Sequence, residues 1–158
     1  MCIRDSSTIN AGAVTLGDAN VEATLTINAI TAADGDVVIT GNANVGNVIS
    51  LEATGDISLT TASAGNLFVS DADGDIIFDA VSNTNGNIQF TAGGAITGDT
   101  VETADIATNV AGIDAISFSA GGALQLNTVR AQDAATLSGA SVDAVSYTHL
   151  TLPTIYSV

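Results

Sequence analysis

The stretch Gly55-Asp56-Ile57-Ser58-Leu59-Thr60 reads as a turn followed by a short strand. Ile57 and Leu59 are two residues apart, so on an extended chain they share one face while Ser58 takes the other. Gly55 and Asp56 are turn formers: glycine tolerates positive φ, and an aspartate side chain bonds backbone nearby. The unit Gly-(Asp/Asn)-apolar-x-apolar-(Thr/Ser) returns on both sides. Gly35-Asp36-Val37-Val38-Ile39-Thr40 precedes it, and Gly65-Asn66-Leu67-Phe68-Val69-Ser70, Gly74-Asp75-Ile76-Ile77-Phe78-Asp79 and Gly86-Asn87-Ile88-Gln89-Phe90-Thr91 follow.

Weaker copies fill the rest at spacings of about ten residues, and alternate copies form two interleaved series with a period of about twenty. The first series pairs Val14/Leu16, Val37/Ile39, Ile57/Leu59, Ile76/Phe78, Ile96/Gly98, Ile116/Phe118 and Ala135/Leu137. The second pairs Leu25/Ile27, Ile49/Leu51, Leu67/Val69, Ile88/Phe90, Ile106/Thr108, Leu124/Leu126 and Val142/Ala144. β-Branched residues, Gly and Asn dominate and no apolar stripe at helical spacing persists, which excludes helix. The expected fold is all-β, a parallel β-helix (solenoid) with about 20 residues per coil and about six or seven coils. Ile57, Ile76, Ile96 and Ile116 are expected in one vertical stack, and Leu67, Ile88, Ile106 and Leu124 in another. A coil buries only a few aliphatic side chains, each contributing roughly 1.5 to 3 kcal/mol, against about 1 to 2 kcal/mol of backbone entropy per ordered residue. A single coil therefore cannot fold alone, and stability comes from stacking.

Both ends of the chain depart from this pattern. Met1-Cys2-Ile3-Arg4-Asp5 can be encoded by ATG TGT ATA AGA GAC, whose reverse complement, GTC TCT TAT ACA CAT, encodes Val145-Ser146-Tyr147-Thr148-His149. An insert flanked by one adapter in inverted orientation produces this relation, and the codons resemble the transposase end used to fragment DNA for sequencing. Residues 1–6 and 145–158 are thus expected to be adapter-derived, and 7–144 to be the repeat segment of a larger, metagenomically sampled protein. Cys2, Arg4, His149, Pro153, Tyr147 and Tyr156 all lie in these ends. Removing both ends is expected to leave folding unaffected. With no polar cap at either edge of the repeat, the natural protein is expected to extend in both directions.

The formal net charge is -15. Between residues 7 and 144 there is no Lys, and Arg130 is the one cation. Such a chain cannot neutralise phosphates, so nucleic acid and anionic membrane surfaces are not expected partners. Nearly half the residues are apolar and periodically placed, which argues against disorder. No apolar run is long enough for a membrane-spanning helix. With Cys2 set aside, no disulfide framework is available.

The Gly-Asp-Ile-x-Leu-Thr-like units, such as Gly55 to Thr60, resemble the repeats of filamentous-haemagglutinin-type exoproteins and related large bacterial adhesins, across essentially all of residues 7–144. The resemblance implies a right-handed parallel β-helix, secreted through a dedicated outer-membrane transporter and forming an extracellular stalk on the bacterial cell surface. Its partners would be a receptor or glycan on a host or neighbouring cell, met through other parts of the protein.

No catalytic, cofactor-binding or metal-binding residue is assigned, and no cofactor is expected. Residues 7–144 hold no His, Cys, Lys or Tyr to act as base, nucleophile or proton donor, so the chain is not expected to be an enzyme. Paired carboxylates leave a carbohydrate-active β-helix enzyme as one alternative. The other is a calcium-stabilised extracellular repeat, on the cluster Asp71-Ala72-Asp73-Gly74-Asp75 with Asp79 downstream. That cluster lacks the glycine position and the bidentate Glu of an EF-hand, and a solvated acidic turn is the plainer reading. A flat threonine face would favour ice binding, but no Thr-x-Thr array repeats coil after coil, and Thr40, Thr60 and Thr91 are expected to cap strand ends.

Overall fold

The computed structural model describes residues 2–3, 7–21, 24–29, 35–103, 115–132 and 134–148. These contain strands and turns and no helix. A nine-stranded sheet holds β1 (Cys2–Ile3), β3 (Val14–Leu16), β4 (Ala19–Val21), β6 (Val37–Val45), β8 (Ile57–Ala64), β10 (Ile76–Asn83), β12 (Ile96–Thr103), β14 (Ala123–Arg130) and β16 (Ser141–Thr148). A seven-stranded sheet holds β2 (Ser7–Asn10), β5 (Thr24–Ala29), β7 (Val48–Ala53), β9 (Leu67–Ala72), β11 (Ile88–Ala92), β13 (Ile116–Ala120) and β15 (Ala135–Ser138). Every pairing is parallel and joins one coil to the next, giving a β-solenoid of about six turns.

Each coil turns three short runs of side chains inward. In the coil from Ile76 to Ala92 these are Ile76/Phe78, Val81/Asn83 and Ile88/Phe90/Ala92. Between the first two, Asp79 and Ala80 both face away from the core, so the alternation changes phase and the strand bends. The middle run recurs as Ala43/Val45, Ala62/Ala64 and Val101/Thr103. The two-series reading has no place for it, because small residues carry little hydrophobic signal.

The core is one continuous stack. Val37, Ile57, Ile76, Ile96 and Leu124 superimpose in the first sheet, and Leu25, Ile49, Phe68, Ile88, Ile116 and Ala135 in the second. All four phenylalanines of the chain meet inside it. Phe68 and Phe78 approach Phe90 edge-on at 5.0 and 5.6 Å, and Phe118 lies parallel to Phe90 at 4.8 Å. These are preferred aromatic geometries, each adding about 0.5–1.5 kcal/mol beyond area burial. Phe78 has room for its ring because its neighbour one coil on is Gly98, whose missing Cβ would collide with that ring.

Three expectations are corrected. Ile116 does not stack on Ile96: Leu124 does, 28 residues on, while Ile116 stacks on Ile88, so the two series exchange sheets after Ile96. The coil there is longer, with residues 104–114, and with them Ile106 and Thr108, outside the described residues. In β9 the inward pair is Phe68/Ser70 rather than Leu67/Val69, because the turn at Gly65-Asn66 uses one more residue before the first buried position. Finally, positive φ is not what the repeated glycines supply. Among the described glycines only Gly86, at 151°, has it.

Residue 144, the expected end of the repeat segment, falls inside β16. The strand continues to Thr148, with Ser146, Tyr147 and Thr148 opposite Thr128, Val129 and Arg130. A sheet edge offers unpaired N–H and C=O groups to whatever chain follows it, so pairing here requires no repeat motif.

Candidate functional site

The Gly-Asp signature works between coils. The Oδ1 atom of Asp36 accepts the backbone N–H of Asp56 at 2.9 Å, Asp56 accepts that of Asp75 at 2.7 Å, and Asp75 accepts that of Ala95 at 2.7 Å. Asp18 does the same for Asn42 at 2.9 Å, and Asn87 for Ala115 at 3.0 Å. The glycine completes the device: a Cβ on Gly74 or Gly94 would occupy the space taken by the Asp56 or Asp75 carboxylate of the previous coil. Beside these carboxylates runs a main-chain column, from Gly55 N–H to Gly35 C=O, Gly74 to Gly55, Gly94 to Gly74, Gly122 to Gly94 and Ala140 to Gly122, at 2.7 to 3.1 Å.

This disposition separates the residues of the acidic cluster. Asp75 belongs to the ladder and is half-buried. Asp71 is exposed on the outer face of β9, between Glu52 and Thr91 of the adjoining coils. Asp73 is exposed in the turn, and its N–H donates to Ala53 C=O at 3.0 Å. Asp79 is exposed at the bend of β10. Among the described residues, no three His, Cys, Asp or Glu side chains converge as ligands around one point. Arg130 faces Glu102 on the preceding coil at 3.7 Å, both largely exposed, a pair contributing about 0–1 kcal/mol.

The outer columns are mixed. One runs Ser50, Val69, Gln89, Ser117, Thr136 and another Val38, Ser58, Ile77, Thr97, Gln125, so neither presents a regular threonine array. Thr60 and Thr40 turn their hydroxyls to backbone carbonyls of the preceding coil, Thr40 and Leu16 respectively.

Concave surface lies instead at the corner between the two sheets. An open groove of about 500 Å³ is lined by Asn44, Ser63, Gly65, Asn66, Thr84 and Asn85 among others, with no charged side chain in its wall. Amides on adjacent coils bond one another there: Asn20 with Asn44 at 3.2 Å and Asn47 with Asn66 at 2.6 Å. Asn83, buried just inside, staples the turn that follows it, donating to Asn87 C=O at 3.1 Å and accepting the Asn85 N–H at 3.0 Å. Sequence reading missed this corner. Its one signal was the recurrence of Asn and Ser about a coil apart at positions 20, 44, 63 and 82.

No helix among the described residues is long and apolar enough to cross a membrane. The chain matches no protein-family model, no curated protein and no solved structure.

Proposed function

We propose that residues 7–144 are a structural stalk segment of a secreted or cell-surface bacterial adhesin or exoprotein, holding a binding tip away from the cell. The observation that carries this reading is the axial column of main-chain hydrogen bonds from Gly35 to Ala140, parallel to the ladders of both sheets. Tension applied along the axis loads many parallel bonds at once, and at a spacing of about 4.8 Å per coil a short chain becomes a rod. The acidity of the chain supports a role apart from nucleic acid, and the resemblance of its units to filamentous-haemagglutinin-type repeats supports the extracellular surface role. Receptor or glycan contact would then fall to other parts of the protein.

Force spectroscopy on the full chain, held at its two ends, tests the mechanical reading. The stalk predicts resolved rupture events whose length increments are multiples of one coil, roughly 70 Å of extended chain each. Extension without resolved events would remove the stalk assignment while leaving the fold intact.

A further inference from the structure

We infer that Asn85 is a site of spontaneous deamidation that turns the uncharged corner groove anionic. The backbone nitrogen of Gly86 attacks the side-chain Cγ of Asn85. A nitrogen–Cγ bond forms, the Cγ–Nδ2 bond breaks, and ammonia leaves with the proton lost by the Gly86 N–H. Water then opens the five-membered succinimide at either carbonyl, yielding aspartate or isoaspartate. Nothing is oxidised or reduced, and the net change is amide plus water to carboxylate plus ammonium.

Three features single out this asparagine. It is the one Asn followed by Gly in the chain, so no β-carbon shields the attacking nitrogen, whereas Asn20, Asn44 and Asn47 precede valines and Asn66 precedes Leu67. Asn85 is exposed, and among the described residues no hydrogen bond is formed by its side chain or by the Gly86 N–H. The other asparagines of this corner are engaged: Asn44 with Asn20, Asn66 with Asn47, Asn83 with Asn87 and Asn85 backbone, and Asn87 with Ala115.

Glycine at 86 is itself dictated by the fold. The residue sits at φ 151° and packs against the Asn66 carbonyl, where a Cβ would collide. The solenoid therefore keeps the reactive dipeptide. The groove wall at Asn44, Ser63, Asn66 and Thr84 carries no charge, so the product carboxylate is its first. Isoaspartate also inserts a backbone methylene into the turn that sets β11 on β9.

The test is a time course of the full folded chain in mildly alkaline buffer, with ammonia release assayed and peptides mapped by mass spectrometry. Digestion requires a non-tryptic protease, since Lys and Arg together number 2. Expected is conversion at Asn85 faster than at any other asparagine by about tenfold or more, a barrier lower by roughly 1.4 kcal/mol, with isoaspartate exceeding aspartate. Asn85→Gln, whose ring closure is larger and slower, should remove that product and leave the rest of the map unchanged. Conversion spread evenly over the asparagines would overturn the proposal. So would an intact Asn85 in the folded chain under conditions where the urea-unfolded chain converts there, or aspartate formed without isoaspartate.

Discussion

Replacing Ser70 by alanine should stabilise the protein. Ser70 is 1% exposed, and its Oγ has no hydrogen-bond partner. It occupies an inward position of β9 with Leu51 on one side and Phe90 on the other, beside the edge-on contact of Phe68 with Phe90. Burying a hydroxyl without a partner costs about 1–3 kcal/mol in proteins. Alanine removes that cost and leaves a void of one oxygen atom, worth a few tenths of a kcal/mol at about 24 cal/mol per Å³. The balance is a gain of about 1 kcal/mol, which for a chain of this size raises Tm by roughly 2–4 °C. Thermal melting followed by β circular dichroism reads the shift, and urea denaturation should show a higher midpoint at unchanged slope. Ser70→Leu separates polarity from volume. It is also apolar, but it overpacks the space beside the two rings and should cost about 1–3 kcal/mol. A Ser70→Ala protein that melts at or below the parent temperature would refute the assignment of an unsatisfied hydroxyl in a dry core.

Three further outcomes follow from the same geometry. Gly98→Ala places a Cβ against the Phe78 ring and should destabilise by about 1–3 kcal/mol, with Phe78→Leu in the same chain recovering most of the loss; an unperturbed melt of the single variant would contradict the contact. Asn83→Ala removes the two bonds that hold the turn before β11 and should cost about 1–3 kcal/mol in urea titration, with no change expected only if water replaces both. Melting in millimolar calcium and in chelator should give the same Tm, because among the described residues no three carboxylates converge around one point; a calcium-dependent rise would instead establish a bound ion by linkage.

The strand pattern was legible wherever apolar and polar residues strictly alternate behind a Gly-Asp turn, as at Ile57/Leu59 and Ile76/Phe78. It was illegible at Leu67-Phe68-Val69, where three consecutive apolar residues leave the parity open and only the length of the preceding turn decides it. The exchange of series after Ile96 escaped for a related reason. Ile116 and Leu124 both begin acceptable strands, and a constant period places each in the wrong sheet once a single coil spans 28 residues. The Gly-Asp pairs were recognised, but as local turn chemistry. Their partners lie one coil away, beyond any local window. The corner groove left only the faint recurrence of Asn and Ser at 20, 44, 63 and 82, and Ser70 carries no sequence signal of its own, since its burial arises from what stacks against it.

Irregular coils show where this architecture holds its register. Partner spacings of 19, 20, 24 and 28 residues occur between successive coils, yet the inward stack from Val37 to Leu124 stays in line. Among the described residues, extra residues fall at bends and corners, between Ile39 and Asn42 in β6 and at 84–87 before β11, where backbone can bulge without displacing a buried side chain. Buried polar residues occupy the last inward position of the middle run in two successive coils. Asn83 stands before the lengthened turn at 84–87, whereas Thr103 accepts the Gln132 N–H of the next coil at 3.1 Å and so ties two coils together. At the equivalent positions Val45 and Ala64, the next turn is shorter and the residue is apolar. A polar side chain in the core is tolerated when its bonds are supplied, and Asn83 gives its own to the turn that departs from it. At 84–87 a longer turn and an unshifted core register are thus compatible, because Asn83 anchors the turn it precedes.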